Sequence, residues 1–177
     1  MNNLYIIAGH SGCGKDHVVD KLCTEHNLKK VISYTTRKKR KNEEGTHIFV
    51  TKKEFDKLKD DMCAYTLFNG NYYCGTNEQV NQSDIYILDK RGIEYFKEHH
   101  TGKPYKVIYI NVPEKICRLR MIQRGDVMED ANKRIENDRI EFEGIEKMAD
   151  FIVDNNYFNS CVCDIWEFIR NCEKELK

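Results

Sequence analysis

"LYIIAGHSGCGKDH" (residues 4–17) decides how this chain is read. Its first half, 4–9, is a short apolar run ending in glycine, the pattern of a buried strand that feeds a turn. Its second half sets Gly9, Gly14 and Lys15 at G-x-x-x-x-G-K spacing, with Gly12 inside the loop. Val18, Val19 and Leu22 then recur at helical spacing. Strand, glycine loop and helix together are the context in which this spacing cradles phosphate. Glycines let the backbone curl until several N–H groups face one anion, and the helix N-terminus adds partial positive charge. The spacing therefore predicts a nucleotide triphosphate loop made by Gly9, Ser11, Gly12, Cys13, Gly14, Lys15, Asp16 and His17. Lys15 reaches the terminal phosphates. The alternative is a glycine turn that merely caps a structural helix.

The residue after the lysine is usually Ser or Thr, whose hydroxyl touches Mg²⁺; here it is Asp16. A carboxylate also offers oxygen to a hard cation, with a full charge that tightens the metal and repels nearby phosphate. A carboxylate in a first helical turn is equally welcome as a cap. Asp16 is thus both a candidate metal ligand and a candidate cap.

Outward from the loop, strands alternate with helical patterns. "KKVISYTT" (29–36), "DIYILD" (84–89), "YKVIYINV" (105–112) and "DFIVDN" (150–155) read as further strands. Pro113 opens one helix and "CDIWEFIRNCEKEL" (163–176) closes the chain as another. This alternation predicts an α/β domain with a mostly parallel sheet flanked by helices. The piece over 34–84 breaks the alternation. It carries a capping box, Thr51 with Glu54, and an Asn69-Gly70 hairpin signal. It reads as an inserted lobe, with the core at 1–33 and 85–177.

Composition limits the function classes. Lys+Arg and Asp+Glu both number 29 in 177 residues, so no net charge draws the chain to nucleic acid or an anionic membrane. No apolar run approaches the roughly 18 residues that span a bilayer. The N-terminus has neither the basic start nor the apolar length of a signal peptide. The eight cysteines form no C-x-x-C pair and read as reduced thiols filling a cytoplasmic protein's core. No feature sets an oligomeric state.

"SYTTRKKR" (33–40) supplies a second basic constellation. Arg37 to Lys41 are five consecutive cations, and guanidinium forks hold phosphate bidentately. A solvated loop is the plainer reading; a phosphate clamp on a small acceptor fits the triphosphate loop upstream.

With "GHSGCGK", "SYTTRKKR", "NYYCGT", "YILD" and "RLRMIQRGDVMEDANKR" in order, the chain resembles the guanylate kinase family nearly end to end. The resemblance implies an ATP- and Mg²⁺-dependent kinase that converts a nucleoside monophosphate, GMP or dGMP, to the diphosphate. It implies an acceptor lobe at about 34–84 and a helical lid at about 120–134. Ser33, Arg37, Arg40, His47, Tyr73, Thr76 and Asp89 would bind the acceptor. Lys15, Arg37, Arg120, Arg124 and Arg134 would gather around the transferred phosphoryl group.

Departures from the family pattern are equally specific. The glutamate that reads guanine is replaced by Ala64, and "LDxDxxG" is shortened to "LDKRG". Cys74 is an extra residue in "NYYCGT", and His47 stands where a tyrosine is usual. The ribose 1,5-bisphosphate phosphokinase branch shares "GKD" and lacks that glutamate, so a sugar-phosphate kinase is an alternative. A catalytically inactive binding module is another, although such modules usually lack the lysine and the lid arginines retained here.

Overall fold

The computed structural model describes residues 1–39, 45, 47–68 and 70–175. Four strands form an all-parallel core sheet in the order β6-β1-β7-β8. They are β1 (Leu4–Ala8), β6 (Ile85–Ile87), β7 (Tyr105–Asn111) and β8 (Phe151–Asp154). Helices α1 (Lys15–His26), α4 (Lys90–His99), α5 (Glu114–Gln123), α6 (Met128–Glu141) and α7 (Phe158–Glu175) cover it.

The strands are apolar on both faces because both faces are buried. Tyr5 and Ile7 of β1 and Ile108 and Ile110 of β7 face a cluster with Val18, Val19, Met121, Ile135, Ile165 and Ile169. The alternate residues Leu4, Ile6, Ala8, Val107 and Tyr109 face Ile93, Phe96, Phe142 and Ile145. At the chain's end, the Glu173 carboxylate accepts from the Asn2 and Asn3 N–H groups and from the Tyr5 hydroxyl, tying α7 to the start of β1.

A second sheet lies between Tyr34 and Thr76, in the order β3-β2-β5-β4. It comprises β2 (Tyr34–Thr35), β3 (Ile48–Phe49), β4 (Met62–Phe68) and β5 (Asn71–Thr76). The predicted capping box is present: Thr51 accepts from the Glu54 N–H at the start of α2 (Lys52–Asp56) while the Glu54 carboxylate returns to the Thr51 N–H. Strands β4 and β5 form the predicted hairpin, with Gly70 at φ 71; Asn69 lies outside the described residues. The short helix α3 (Asn77–Asn81) returns the chain to the core.

Three sequence expectations are corrected. The strand expected over 29–36 is divided: Lys30 makes a single bridge to Ile85 in the core sheet, and only Tyr34–Thr35 are strand, in the other sheet. The segment leaves one sheet to enter the other, so it cannot pair continuously with either. Pro113 is the residue before α5, not its first. The last helix begins at Phe158, five residues before the expected start.

Candidate active site

The loop after β1 folds as its glycines demand. Gly12 sits at φ 79, and a Cβ there would lie 2.5 Å from the Cys117 carbonyl oxygen, so only glycine fits. Gly14, also left-handed, is the residue from which α1 starts. The loop is braced from behind. Arg120 donates to the carbonyl oxygens of Cys13 (3.0 Å) and Asn155 (2.7 Å), and the Asn155 amide donates to Cys13 O at 2.8 Å. Lys15 Nζ donates to His10 O at 3.3 Å, so its ammonium lies over the loop. Burial holds His10 below the usual imidazole range.

One contact was absent from the sequence reading. The Ser11 N–H donates to Asp138 Oδ2 at 2.6 Å, and Asp138 is buried. Ala131, Ile135 and Asp138 share the inward face of α6 at helical spacing. A carboxylate on an otherwise apolar stripe was the available signal. A small cavity beside it is lined by Lys15, Asp89, Asp138, Glu141 and Phe142. Burial, with the nearby Asp89 and Asp138 charges, pushes Glu141 up despite Arg91.

Two larger cavities flank the loop. One, about 390 Å³, is lined by Gly12, Gly14, Lys15, Asp16, His17, Arg120, Gln123 and Arg124. The other, about 360 Å³, lies between the sheets and is lined by Asp16, Ser33, His47, Ala64, Thr66, Tyr73, Tyr86, Asp89 and Arg134, among others. Asp16, exposed in the first turn of α1, borders both. Arg124 and Arg134, from the two sides of the turn between α5 and α6, converge on the Asp126 carboxylate at 2.7 and 4.0 Å.

The structure thus gathers Ser33, His47, Tyr73, Asp89 and Arg134 at one cavity, and it places other expected residues elsewhere. The Arg37 guanidinium lies 5.4 Å from the centre of the Phe49 ring and donates to Lys38 O. Arg40 lies outside the described residues. The Thr76 hydroxyl accepts from the Gln79 N–H and caps α3, and this buried residue is not among those lining the cavity. Thr76 ends a strand and starts a helix, where an orphan N–H claims its oxygen first. Asp89 caps α4 through the Gly92 N–H (2.6 Å) and accepts from the Thr66 hydroxyl at 3.0 Å. Thr66 and Tyr86 line the cavity without having been singled out in the sequence.

Comparisons with known proteins identify the family. Residues 1–172 match the family described as guanylate kinase. The chain is 32% identical to the guanylate kinase of Pseudoalteromonas translucida, covering 99% of this chain and 90% of that protein. It is 30% identical to that of Neisseria gonorrhoeae, covering 96% and 88%. The chain belongs to the guanylate kinase family. It is a kinase with the α/β fold of that family. The crystal structure of guanylate kinase from Anaplasma phagocytophilum superposes with a TM-score of 0.70 at 22% identity, covering 96% of this chain and 85% of that one. Among the described residues of this family member, no helix is long and apolar enough to cross a membrane.

No three His, Cys, Asp or Glu side chains among the described residues cluster as a metal cage. Mg²⁺ commonly takes one or two carboxylates together with water and substrate phosphate. Exposed Asp16, at the border of both cavities, fits that mode as the single protein oxygen.

Proposed function

We propose that this guanylate kinase family member transfers the γ-phosphoryl group of ATP, with Mg²⁺, to the phosphate of GMP or dGMP in the cytoplasm. The observation that carries this reading is the meeting of the two cavities at Asp16. The glycine loop, Lys15, Arg120 and Arg124 line one side, and Ser33, Tyr73 and Arg134 line the other. A phosphate oxygen of the acceptor attacks the γ-phosphorus, and the bond to the bridging oxygen of the departing ADP breaks. Little covalent chemistry falls to the protein, so its work is positioning and charge stabilisation. Lys15 and the loop N–H groups hold the donor. Arg124 at the end of α5 and Arg134 within α6, either side of the lid-like turn, bring positive charge to the transferred group. Bound Mg²⁺ neutralises phosphate charge in reactions of this type.

Asp16 is the residue to test for the metal. Asp16→Asn is expected to raise the Mg²⁺ concentration for half-maximal rate roughly fivefold or more, since unit charges about 4 Å apart in water attract by about 1 kcal/mol. Asp16→Ser should partly restore it. Overlaying Mg²⁺ titrations of the three proteins would make Asp16 a helix cap only.

Base selectivity is where this pocket departs from its relatives. A buried alanine, Ala64, lines the acceptor cavity where the family pattern has its glutamate. A site that hydrogen-bonds a substrate group rejects analogues lacking it by about 10⁴–10⁵, because its own polar atoms are then unpaired. That penalty is missing here, so GMP and IMP are expected to have kcat/KM values within about tenfold of each other. The decisive experiment is a coupled ADP-release screen over nucleoside monophosphates and sugar phosphates. Turnover confined to a sugar phosphate would overturn the reading.

A further inference from the structure

Tyr86 belongs to β6 of the core sheet, yet its side chain reaches the floor of the acceptor cavity. It is 2% exposed. Gly75 of β5 makes the space for it: a Cβ at that position would lie 2.3 Å from the Tyr86 hydroxyl and 2.8 Å from the ring carbon that bears it. The phenol therefore passes flat against bare backbone, where any side chain on β5 would block it. Its oxygen stands 3.3 Å from Ser33 Oγ, which also lines the cavity. Burial pushes the phenol well above its ordinary range, so it stays protonated.

Two hydroxyls share one hydrogen bond between them and own two protons. Ser33 donates to the Tyr86 oxygen, so the buried Tyr86 proton is left over for a further acceptor. A buried hydroxyl proton with no partner costs about 1–3 kcal/mol, so the pair gains from an acceptor delivered by the substrate. Ala64, on the neighbouring strand and also lining the cavity, is apolar and cannot supply one. We propose that the Tyr86 hydroxyl, positioned by Ser33, is the group that reads the acceptor's base, by donating to a ring carbonyl oxygen.

This assignment rests on the nucleoside monophosphate reading above and makes it narrower. Selection here works through the carbonyl, not through an exocyclic amine. GMP and IMP share that carbonyl; purine riboside 5′-monophosphate carries hydrogen in its place.

The experiment compares kcat/KM for IMP and purine riboside 5′-monophosphate in wild type, Tyr86→Phe and Ser33→Ala, with GMP alongside. A neutral hydrogen bond contributes about 0.5–1.5 kcal/mol, so wild type is expected to prefer IMP roughly two- to tenfold. Tyr86→Phe removes one oxygen from an unchanged ring. It should abolish that preference by slowing IMP and GMP equally while leaving the carbonyl-free analogue unaltered. Ser33→Ala should reduce the preference, and the double variant should lose no more than Tyr86→Phe alone. A purely structural role for Tyr86 would lower all three substrates together and preserve the ratio, and that result overturns the assignment. Should Tyr86→Phe fail to fold, the ratio in Ser33→Ala decides. A wild type that phosphorylates sugar phosphates but no nucleoside monophosphate overturns both readings. Nucleotide turnover with an unchanged ratio overturns only this one.

Discussion

Lys15→Ala is expected to lower kcat/KM by about 10²–10³ or more, the loss seen when a preorganised group aimed at developing charge is removed. The ammonium stands over the loop, 3.3 Å from the His10 carbonyl oxygen, held there by the helix that begins at its own residue. A phosphate entering the loop replaces that weak neutral contact with charge-assisted ones. The lysine is not part of the apolar clusters that hold the sheet and helices together, so the variant should fold. The check is steady-state turnover alongside thermal unfolding. A folded variant with unchanged turnover would remove the loop from the reaction.

The second large effect is expected at Arg37. Loss of charge-assisted hydrogen bonds worth about 1.5–3 kcal/mol raises the acceptor KM by roughly tenfold to more than a hundredfold. The ATP KM should hardly change, because Arg37 follows β2 in the second sheet, whereas the glycine loop follows β1. The Arg37 guanidinium lies over the Phe49 ring, 5.4 Å from its centre, and a lysine lacks the planar fork that holds phosphate bidentately. Arg37→Lys should therefore rescue little. Initial-rate matrices over both substrates separate the two constants. An acceptor KM equal to that of wild type would return the basic run to a solvated loop.

The stretch at residues 4–17 was legible because its chemistry is local. Apolar residues before the glycines, glycines where φ turns positive and a helical pattern after the lysine fix the strand, loop and helix within one short segment. The parallel sheet followed from alternation, and the capping box and hairpin from turn chemistry that operates over two to four residues. Less was readable where one segment serves two partners. Residues 29–36 read as one strand, yet tertiary pairing assigns Lys30 to one sheet and Tyr34 to the other.

Site residues divided in the same way. Ser33, Tyr73 and Arg134, from separate motifs, stand at one cavity. Thr76 carried an equally suitable hydroxyl, and the start of α3 claimed it. Asp138 belonged to no motif, and Tyr86 was only the first residue of "YILD", where Asp89 drew the reading; in sequence they are a polar residue on an apolar helix face and an aromatic in an apolar strand. Their importance comes from distance in the chain being cancelled by folding: Ser11 meets Asp138, and Gly75 leaves room for Tyr86. The sequence by itself determined the fold class, the phosphate loop and the family, because these depend on residue type at short spacing. Which hydroxyls and carboxylates face the cavities was decided only in the tertiary structure, because it depends on how the second sheet packs over the first.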